Sequence, residues 1–174
     1  QGWTGILVEP VPECCDLLRA QRSARVFQNA LGSPGQCGPL RMLVPGGLTE
    51  LASACTEITT LEKGDLVIET EVVTLDSLLQ ECGVDSFDFL SLDMEGMELD
   101  ALQGLSIERH RPSFILIEDR NESLAKHRYL KRCGYKLIRR KGSNNWYVPN
   151  TTPFKVSLMT RLRLARKLHA SIPF

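Results

Sequence analysis

The sequence predicts an α/β fold, a three-layer sandwich in which helices cover both faces of a sheet with parallel strands. Strand patterns alternate with helix patterns over most of the chain, which is typical of this class. Phe114–Ile117 is wholly apolar, as expected of a strand buried on both faces. The 174 residues, 43% hydrophobic and 24% charged, fit one globular domain. No apolar run reaches the roughly 18 residues that a membrane span needs.

The elements of the first half follow from apolar runs and turn residues. Pro12, with acids behind it, favours a helix start, and Thr74 can cap the helix that follows it. Glycines and prolines over residues 32–47 predict a loop around one short strand. The predicted elements in chain order are a strand over 5–9, a helix from Pro12 to Arg22, and strands over Ala24–Ala30, Leu40–Val44 and Leu66–Val73, followed by a helix over Leu75–Glu81.

The second half continues the alternation and ends differently. Gly104 is expected to close a short helix, because glycine favours helix ends. Lys141-Gly142-Ser143 reads as the turn of an antiparallel hairpin. The predicted elements are strands Phe87–Leu92 and Phe114–Ile117, helices Leu99–Leu105 and Ser123–Cys133, the hairpin strands Tyr135–Arg139 and Asn145–Val148, and a terminal helix Met159–His169.

Polar side chains end four of the predicted strands. They are Glu9, Asn29, Asp93 and Glu118. In open α/β sheets, ligands bind at the carboxyl edge of the strands, so these side chains predict a binding site there. The alternative is that each strand simply ends in a polar residue as it leaves the core.

Glu9 suits a nucleoside ligand. A carboxylate that follows a strand offers two acceptor oxygens to the two hydroxyls of a ribose. The same type of site normally has a glycine-rich turn about twenty residues upstream. Only eight residues precede Glu9, and no G-x-G-x-x-G motif occurs elsewhere in the chain.

The densest polar segment runs from Asp93 to Glu98. Asp93, Glu95 and Glu98 are three carboxylates within six residues after a buried strand. Gly96 allows a tight turn or the close approach of a ligand. Neighbouring acids can supply a general base or a metal site, so a hydrolase with Asp93 and Glu95 as metal ligands is one alternative. For Glu98, the start of the next helix is the other interpretation.

Cysteine, histidine and charge patterns exclude some classes of protein. The six cysteines and three histidines lack the spacing of a zinc site, so we predict no metal. Buried thiols indicate a reducing compartment and favour the cytoplasm. The chain has no net charge, which predicts no nucleic-acid partner, yet residues 154–174 carry five basic side chains and no acid. This tail could contact an anionic membrane, although a packed helix with a solvated basic face is a simpler explanation.

Several blocks resemble the FkbM family of S-adenosylmethionine-dependent methyltransferases. The strongest is Leu92-Asp93-Met94-Glu95-Gly96-Met97-Glu98. The others, in order, are residues 2–10, Asn29-Ala30-Leu31-Gly32, residues 73–79, Leu102-Gln103-Gly104, Arg111-Pro112, Gly134-Tyr135 and residues 144–148. The resemblance covers 1–150 as the methyltransferase domain and leaves 151–174 as a basic amphipathic tail.

The resemblance implies a Rossmann-like class I methyltransferase sheet with a C-terminal antiparallel hairpin. It further implies that Glu9 and Pro10 hold the cofactor ribose and that Asn29 and Ala30 lie near the adenine. Asp93 would flank the methionine end, and Asp93 with Glu95 would act on the acceptor. Family members are regarded as O-methyltransferases of sugars or other hydroxylated small molecules, so a hydroxyl would receive the methyl group.

One departure from the family concerns cofactor binding. Family members open with a strand, an Asp-x-Gly-Ala-x-x-Gly type turn and a helix. By this resemblance Gln1 lies after these elements, so we expect a sheet in which the first strand and helix are absent. Two neighbouring strands would then lack a pairing partner. Two alternatives stay open: a piece of a complete methyltransferase domain, or a non-catalytic binding domain that keeps the sheet without the cofactor.

Overall fold

The computed structural model describes residues 4–45, 53–54, 63–119, 124–154, 156, 158–159 and 161–162. The chain divides into a first unit, residues 1–81 with 100–105, and a second unit, residues 82–99 with 106–174. The strands are β1 Ile6–Val8, β2 Arg25–Phe27, β3 Ala30–Leu31, β4 Gly38–Val44, β5 Ser53–Ala54, β6 Leu66–Val73, β7 Phe89–Leu92, β8 Phe114–Glu118, β9 Tyr135–Lys141 and β10 Asn144–Pro149. The helices are α1 Pro12–Gln21, α2 Leu75–Glu81, α3 Glu98–Gln103, α4 Ile107–His110 and α5 Leu124–Arg132, with a 3₁₀ turn at Pro34–Gln36.

The first unit contains two sheets. β1 and β2 form a parallel pair, and β3, β6, β4 and β5 form a second sheet in that order. Within it β6 runs parallel to β3 and antiparallel to β4. Its buried centre is formed by Ala30, Met42 and Val72, with Leu40 and Ile68 packed against them. Apolar burial of this kind is what stabilises a small sheet.

The predicted strand Ala24–Ala30 is wrong as a single element. Its first part is β2, which pairs with β1, whereas Ala30 and Leu31 are β3, which pairs with β6. The chain leaves one sheet and enters another between them, so Asn29 lies between two strands instead of at the end of one. The predicted Leu40–Val44 strand is longer, because β4 starts at Gly38 and pairs with β6 along its whole length.

The second unit contains one mixed sheet with the order β7-β8-β10-β9. β7 and β8 are parallel, and β10 is antiparallel to both β8 and β9. The predicted C-terminal hairpin is therefore confirmed, with Gly142 at φ +59° in its turn. The core of this unit includes Ile115, Ile117 and Leu130, each fully buried.

Most predicted helices are confirmed. Pro12 is the first residue of α1, and α2 has the predicted bounds, with Thr74 Oγ1 accepting a hydrogen bond from Ser77 N at 3.1 Å. The short helix α4 was not predicted. Of the predicted terminal helix, residues 159, 161 and 162 are helical, as is residue 158, and the remainder lies outside the described residues.

The α/β class is confirmed. The described strands form three sheets, and each sheet contains one parallel pair of strands. The single three-layer sandwich of the class I type stays a prediction. Within the described part of the chain, no helix has the length and apolar character to cross a membrane.

Gly104 is required by close packing in the first unit. A Cβ at this position would lie 2.3 Å from the backbone oxygen of Gly32 and 3.3 Å from the Thr74 side chain. Its own carbonyl oxygen accepts a hydrogen bond from Asp76 N at 3.0 Å. The Gly32 oxygen belongs to the backbone, so it cannot move aside as the end of a flexible side chain could. Glycine is therefore the residue that fits at position 104.

We expect Gly104→Ala to lower the free energy of unfolding by about 1–3 kcal/mol, the usual cost of overpacking. Urea denaturation monitored by circular dichroism measures the change. Gly35→Ala is the matched control, because a Cβ at Gly35 meets no atom within 4 Å. Equal stability of the two variants would contradict the packing argument.

Candidate functional site

Three carboxylates meet at one edge of the sheet in the second unit. β7 and β8 are parallel, and Leu92 lies opposite Ile117. Asp93 and Glu118 follow these two residues, so they emerge side by side. One carboxylate oxygen from each of Asp93, Glu95 and Glu118 lies within 4.8 Å of the other two. The prediction that strand-end carboxylates gather at this edge is confirmed for Asp93 and Glu118.

The three carboxylates differ in their surroundings. Asp93 is exposed, Glu95 is half-buried, and Glu118 is only 7% exposed. Glu118 Oε1 accepts a hydrogen bond from Ser143 Oγ at 2.9 Å, which fixes this carboxylate against the hairpin turn. Together, the three carboxylates can attract a cationic ligand, hold a divalent cation through oxygen ligands, or accept a proton. Asp93 is the most exposed of the three, and Glu95 is also partly accessible to a molecule in solution.

Glu98 has a different role from the other acids of its segment. Its side chain is 2% exposed, and it begins α3. Its Oε1 accepts hydrogen bonds from Met94 N at 3.1 Å and Gly96 N at 3.2 Å. These bonds close the turn over residues 94–97, in which Glu95 and Gly96 have positive φ of 50° and 110°. Glu98 therefore holds in place the turn that carries Glu95.

A buried network of charges extends from Glu98. Lys126 Nζ lies 3.0 Å from Glu98 Oε2 and 3.0 Å from Asp119 Oδ1, and it donates to the carbonyl oxygen of Glu118 at 3.2 Å. Arg140 Nη1 lies 3.3 Å from Asp119 Oδ2. Two buried acids are thus balanced by two buried bases. Pairing of this quality is needed because an isolated buried charge is costly.

The ammonium of Lys126 keeps its proton in this environment. Burial by itself lowers the pKa of Lys126, but hydrogen bonds and attraction from Glu98 and Asp119 outweigh that effect. The net result is a pKa above the ordinary value of 10.5. Lys126 is consequently charged at neutral pH, and its contact with Glu98 ties α5 to the residues that follow β7.

The sequence analysis did not identify Lys126, Asp119, Arg140 or Asn145. Asn145 is 2% exposed and donates to Asp119 Oδ2 at 3.3 Å. One signal was present for the lysine: it lies four residues before Leu130, which places both on the buried face of one helix. A lysine on an apolar face indicates a buried ion pair or a functional role.

Glu9 lies in the first unit, directly after β1. Its Oε1 accepts a hydrogen bond from Val11 N at 2.9 Å, so part of its capacity serves the start of α1. The side chain is half-buried. A carboxylate oxygen has two lone pairs, so a ribose hydroxyl can share this group with the backbone amide. Pro10 occupies the bend between Glu9 and the helix.

Asn29 and Ala30 also lie in the first unit. Asn29 Nδ2 donates to the carbonyl oxygen of Glu71 at 3.2 Å, which joins the segment between β2 and β3 to β6. Ala30 is 4% exposed and belongs to the core of the second sheet. The Asn29 amide therefore already hydrogen-bonds to the backbone of β6. Ala30 offers little side-chain surface to a ligand because it is buried.

The thiols differ from the buried set that was expected. Cys15 is buried, whereas Cys37 is exposed and Cys14, Cys82 and Cys133 are half-buried. None of these five forms a disulfide. Burial raises the pKa of the Cys15 thiol above its ordinary value, which keeps it protonated. These residues do not contribute to the carboxylate group described above.

Comparison with known proteins gives one result. Residues 1–137 match the family model described as the methyltransferase FkbM domain, which is well over half of the 174 residues. No curated protein and no solved structure matches the sequence significantly. The matched region contains β1, the turn after β7 and the three clustered carboxylates, and it ends inside β9. The chain belongs to the FkbM methyltransferase family.

Proposed function

We propose that this domain transfers a methyl group from S-adenosylmethionine to a hydroxyl oxygen of a small molecule or sugar. The observation that carries the proposal is the group formed by Asp93, Glu95 and Glu118 in a chain of this family. S-adenosylmethionine supplies an electrophilic methyl group on a positively charged sulfur. Carboxylates suit the cationic sulfur and ammonium of such a ligand, because opposite charges attract strongly where water is partly excluded.

Asp93 is proposed to accept the proton of the acceptor hydroxyl. It is the exposed carboxylate of the group, and it follows β7 directly, so its position is fixed by a strand of the sheet. Taking the proton makes the acceptor oxygen a stronger nucleophile, and a positioned base contributes about 10²–10⁴-fold to such a rate. Glu95, on the turn held by Glu98, would orient the acceptor and contribute to alignment.

Four residues of the first unit are proposed to hold the nucleoside part of the cofactor. Glu9 would accept hydrogen bonds from the ribose hydroxyls, and Pro10 would shape the bend beside it. Asn29 and Ala30 would lie near the adenine. The Glu9 carboxylate is half-buried and accepts a hydrogen bond from Val11 N through its Oε1, which leaves it acceptor capacity for the ribose hydroxyls and supports this role.

The proposed reaction is tested by incubating the full chain with S-adenosylmethionine and a panel of hydroxylated sugars and small molecules. We expect S-adenosylhomocysteine to form in proportion to a methyl ether product, detected by mass spectrometry. A chelator added in parallel tests whether the carboxylates act through a divalent cation, as they would in a metal-dependent hydrolase. Hydrolysis of an acceptor without methyl transfer would overturn the proposal.

Glu9→Gln is expected to weaken S-adenosylmethionine binding by roughly ten- to a hundredfold, the usual value of a hydrogen bond to a charged group. Glutamine retains an oxygen for Val11 N, so the start of α1 is preserved. Isothermal titration calorimetry measures the change. Glu13→Gln, an exposed acid in the first turn of the same helix, is the matched control. An unchanged dissociation constant for Glu9→Gln would refute the ribose assignment.

A further inference from the structure

The segment from Phe154 to Leu162, here called the tail segment, exposes large apolar side chains. Phe154 is 48% exposed, Leu158 71%, Met159 64% and Leu162 58%. Seven large hydrophobic side chains are exposed among the residues that the structure describes, and these four account for the majority. Single exposed apolar residues are ordinary, but a contiguous group indicates a contact surface.

The tail segment has helical backbone at three of these four positions, Leu158, Met159 and Leu162, whereas Phe154 precedes the helix. Residues 158, 159, 161 and 162 are helical. Leu158 and Leu162 are four residues apart, so they lie on one face of the helix. The exposed leucines therefore form one surface, and the expectation that the terminal helix packs its apolar face onto the sheet does not hold for them.

The charge of this region is as distinctive as its apolar surface. Residues 154–174 contain five basic side chains and no acid, while residues 1–153 have sixteen basic side chains against twenty-one acidic ones. Arg161 lies between Met159 and Leu162 and is exposed. The sequence continues with Arg163, Arg166 and Lys167, interleaved with Leu164 and Leu168. The FkbM family match ends at residue 137, so the methyltransferase domain does not account for this pattern.

We propose that the tail segment docks on the surface of an anionic phospholipid bilayer. A helix with an apolar face and basic side chains lies in the plane of such a surface, with the apolar side chains between the lipid chains. Long basic side chains reach the headgroups while their stems stay in the apolar layer. The net negative charge of residues 1–153 disfavours close approach of the domain itself, so the positive tail orients the molecule.

The test is co-sedimentation of the full chain with large vesicles of phosphatidylcholine containing phosphatidylserine, compared with pure phosphatidylcholine. We expect stronger binding to the anionic vesicles and release by high salt. Each basic side chain near the surface contributes about fivefold, so Arg161→Gln should weaken the partition coefficient by about that factor. The pair Leu158→Ser and Leu162→Ser should weaken it by at least about tenfold, since burying a leucine is worth no less.

Leu17→Ser and Leu66→Ser are the matched controls, because these leucines are 60% and 53% exposed but lie outside the tail segment. They are expected to bind anionic vesicles as the original chain does. Equal binding to both vesicle types, or no effect of the paired tail substitutions, would overturn the proposal. Two further results would overturn it. One is self-association of the chain without vesicles, seen by light scattering and abolished by the paired leucine substitutions. The other is RNA binding that depends on Arg161 and competes with vesicle binding.

Discussion

Lys126→Met is expected to lower the free energy of unfolding by about 3–5 kcal/mol, the cost of removing one partner from a buried ion pair. The side chains of Glu98 and Asp119 are each 2% exposed and both contact the lysine ammonium. Methionine fills the space of the lysine stem but leaves these carboxylates with less compensating charge. Chemical denaturation of the full chain at neutral pH measures the loss.

Lys131→Met is the matched control, because Lys131 is exposed in the last turn of the same helix. It should change stability by no more than about 0.5 kcal/mol. The double variant Glu98→Gln with Lys126→Met should recover part of the loss, since it removes one of the uncompensated acids. A loss of stability in Lys126→Met as small as that in Lys131→Met would show that the buried charge network does not stabilise the fold.

The stability that Lys126 contributes to the folded protein depends on pH. The pKa of Lys126 in the folded protein lies above its ordinary value of 10.5. A raised pKa means that the folded state binds this proton more tightly, so the stabilisation is complete below pH 10.5. It is lost as the pH rises through the folded pKa. The difference between the original chain and Lys126→Met should therefore shrink in strongly alkaline solution, as the pH rises through the folded pKa of Lys126.

Asp93→Asn is expected to reduce the rate of methyl transfer by about 10²–10⁴-fold, the usual contribution of a general base. Asparagine keeps the size of the side chain but cannot accept the hydroxyl proton. The decrease should appear in kcat, and it should exceed any weakening of S-adenosylmethionine binding that the loss of one negative charge from the carboxylate group causes. Single-turnover formation of S-adenosylhomocysteine is the measurement.

Asp88→Asn provides the comparison, because Asp88 is exposed and precedes the opposite end of the same strand. Its backbone oxygen accepts a hydrogen bond from Phe114 N at 2.9 Å, which the substitution leaves intact. This variant should transfer methyl groups at the original rate. A full rate in Asp93→Asn would remove Asp93 from the role of base and leave the other carboxylates of the group as candidates.

Local signals in the sequence were sufficient for several elements. Thr74 predicted the start of α2 because its hydroxyl can cap the helix, and the structure has that hydrogen bond. The short turn around Gly142 predicted the hairpin of β9 and β10, whose strands are neighbours in the chain. The strand-end positions of Asp93 and Glu118 were predictable since parallel strands bring their carboxyl ends to one edge.

Long-range contacts explain what the sequence did not predict. The separation of β2 from β3 depends on Ala30 pairing with Val72, more than forty positions away in the chain. The position of Glu98 inside the unit depends on Lys126, which lies on a different helix. A periodic pattern shows which face of an element is apolar, but it does not show which distant group will neutralise a buried charge.

Direct calorimetric titration of the full chain with S-adenosylmethionine tests whether this FkbM-family domain binds that cofactor for methyl transfer. Circular dichroism of the same sample should first establish that the protein is folded. We expect saturable heat corresponding to one cofactor per chain, which Glu9→Gln reduces and Glu13→Gln preserves. A folded sample that gives no heat up to high micromolar cofactor would refute cofactor binding and favour a non-catalytic binding domain.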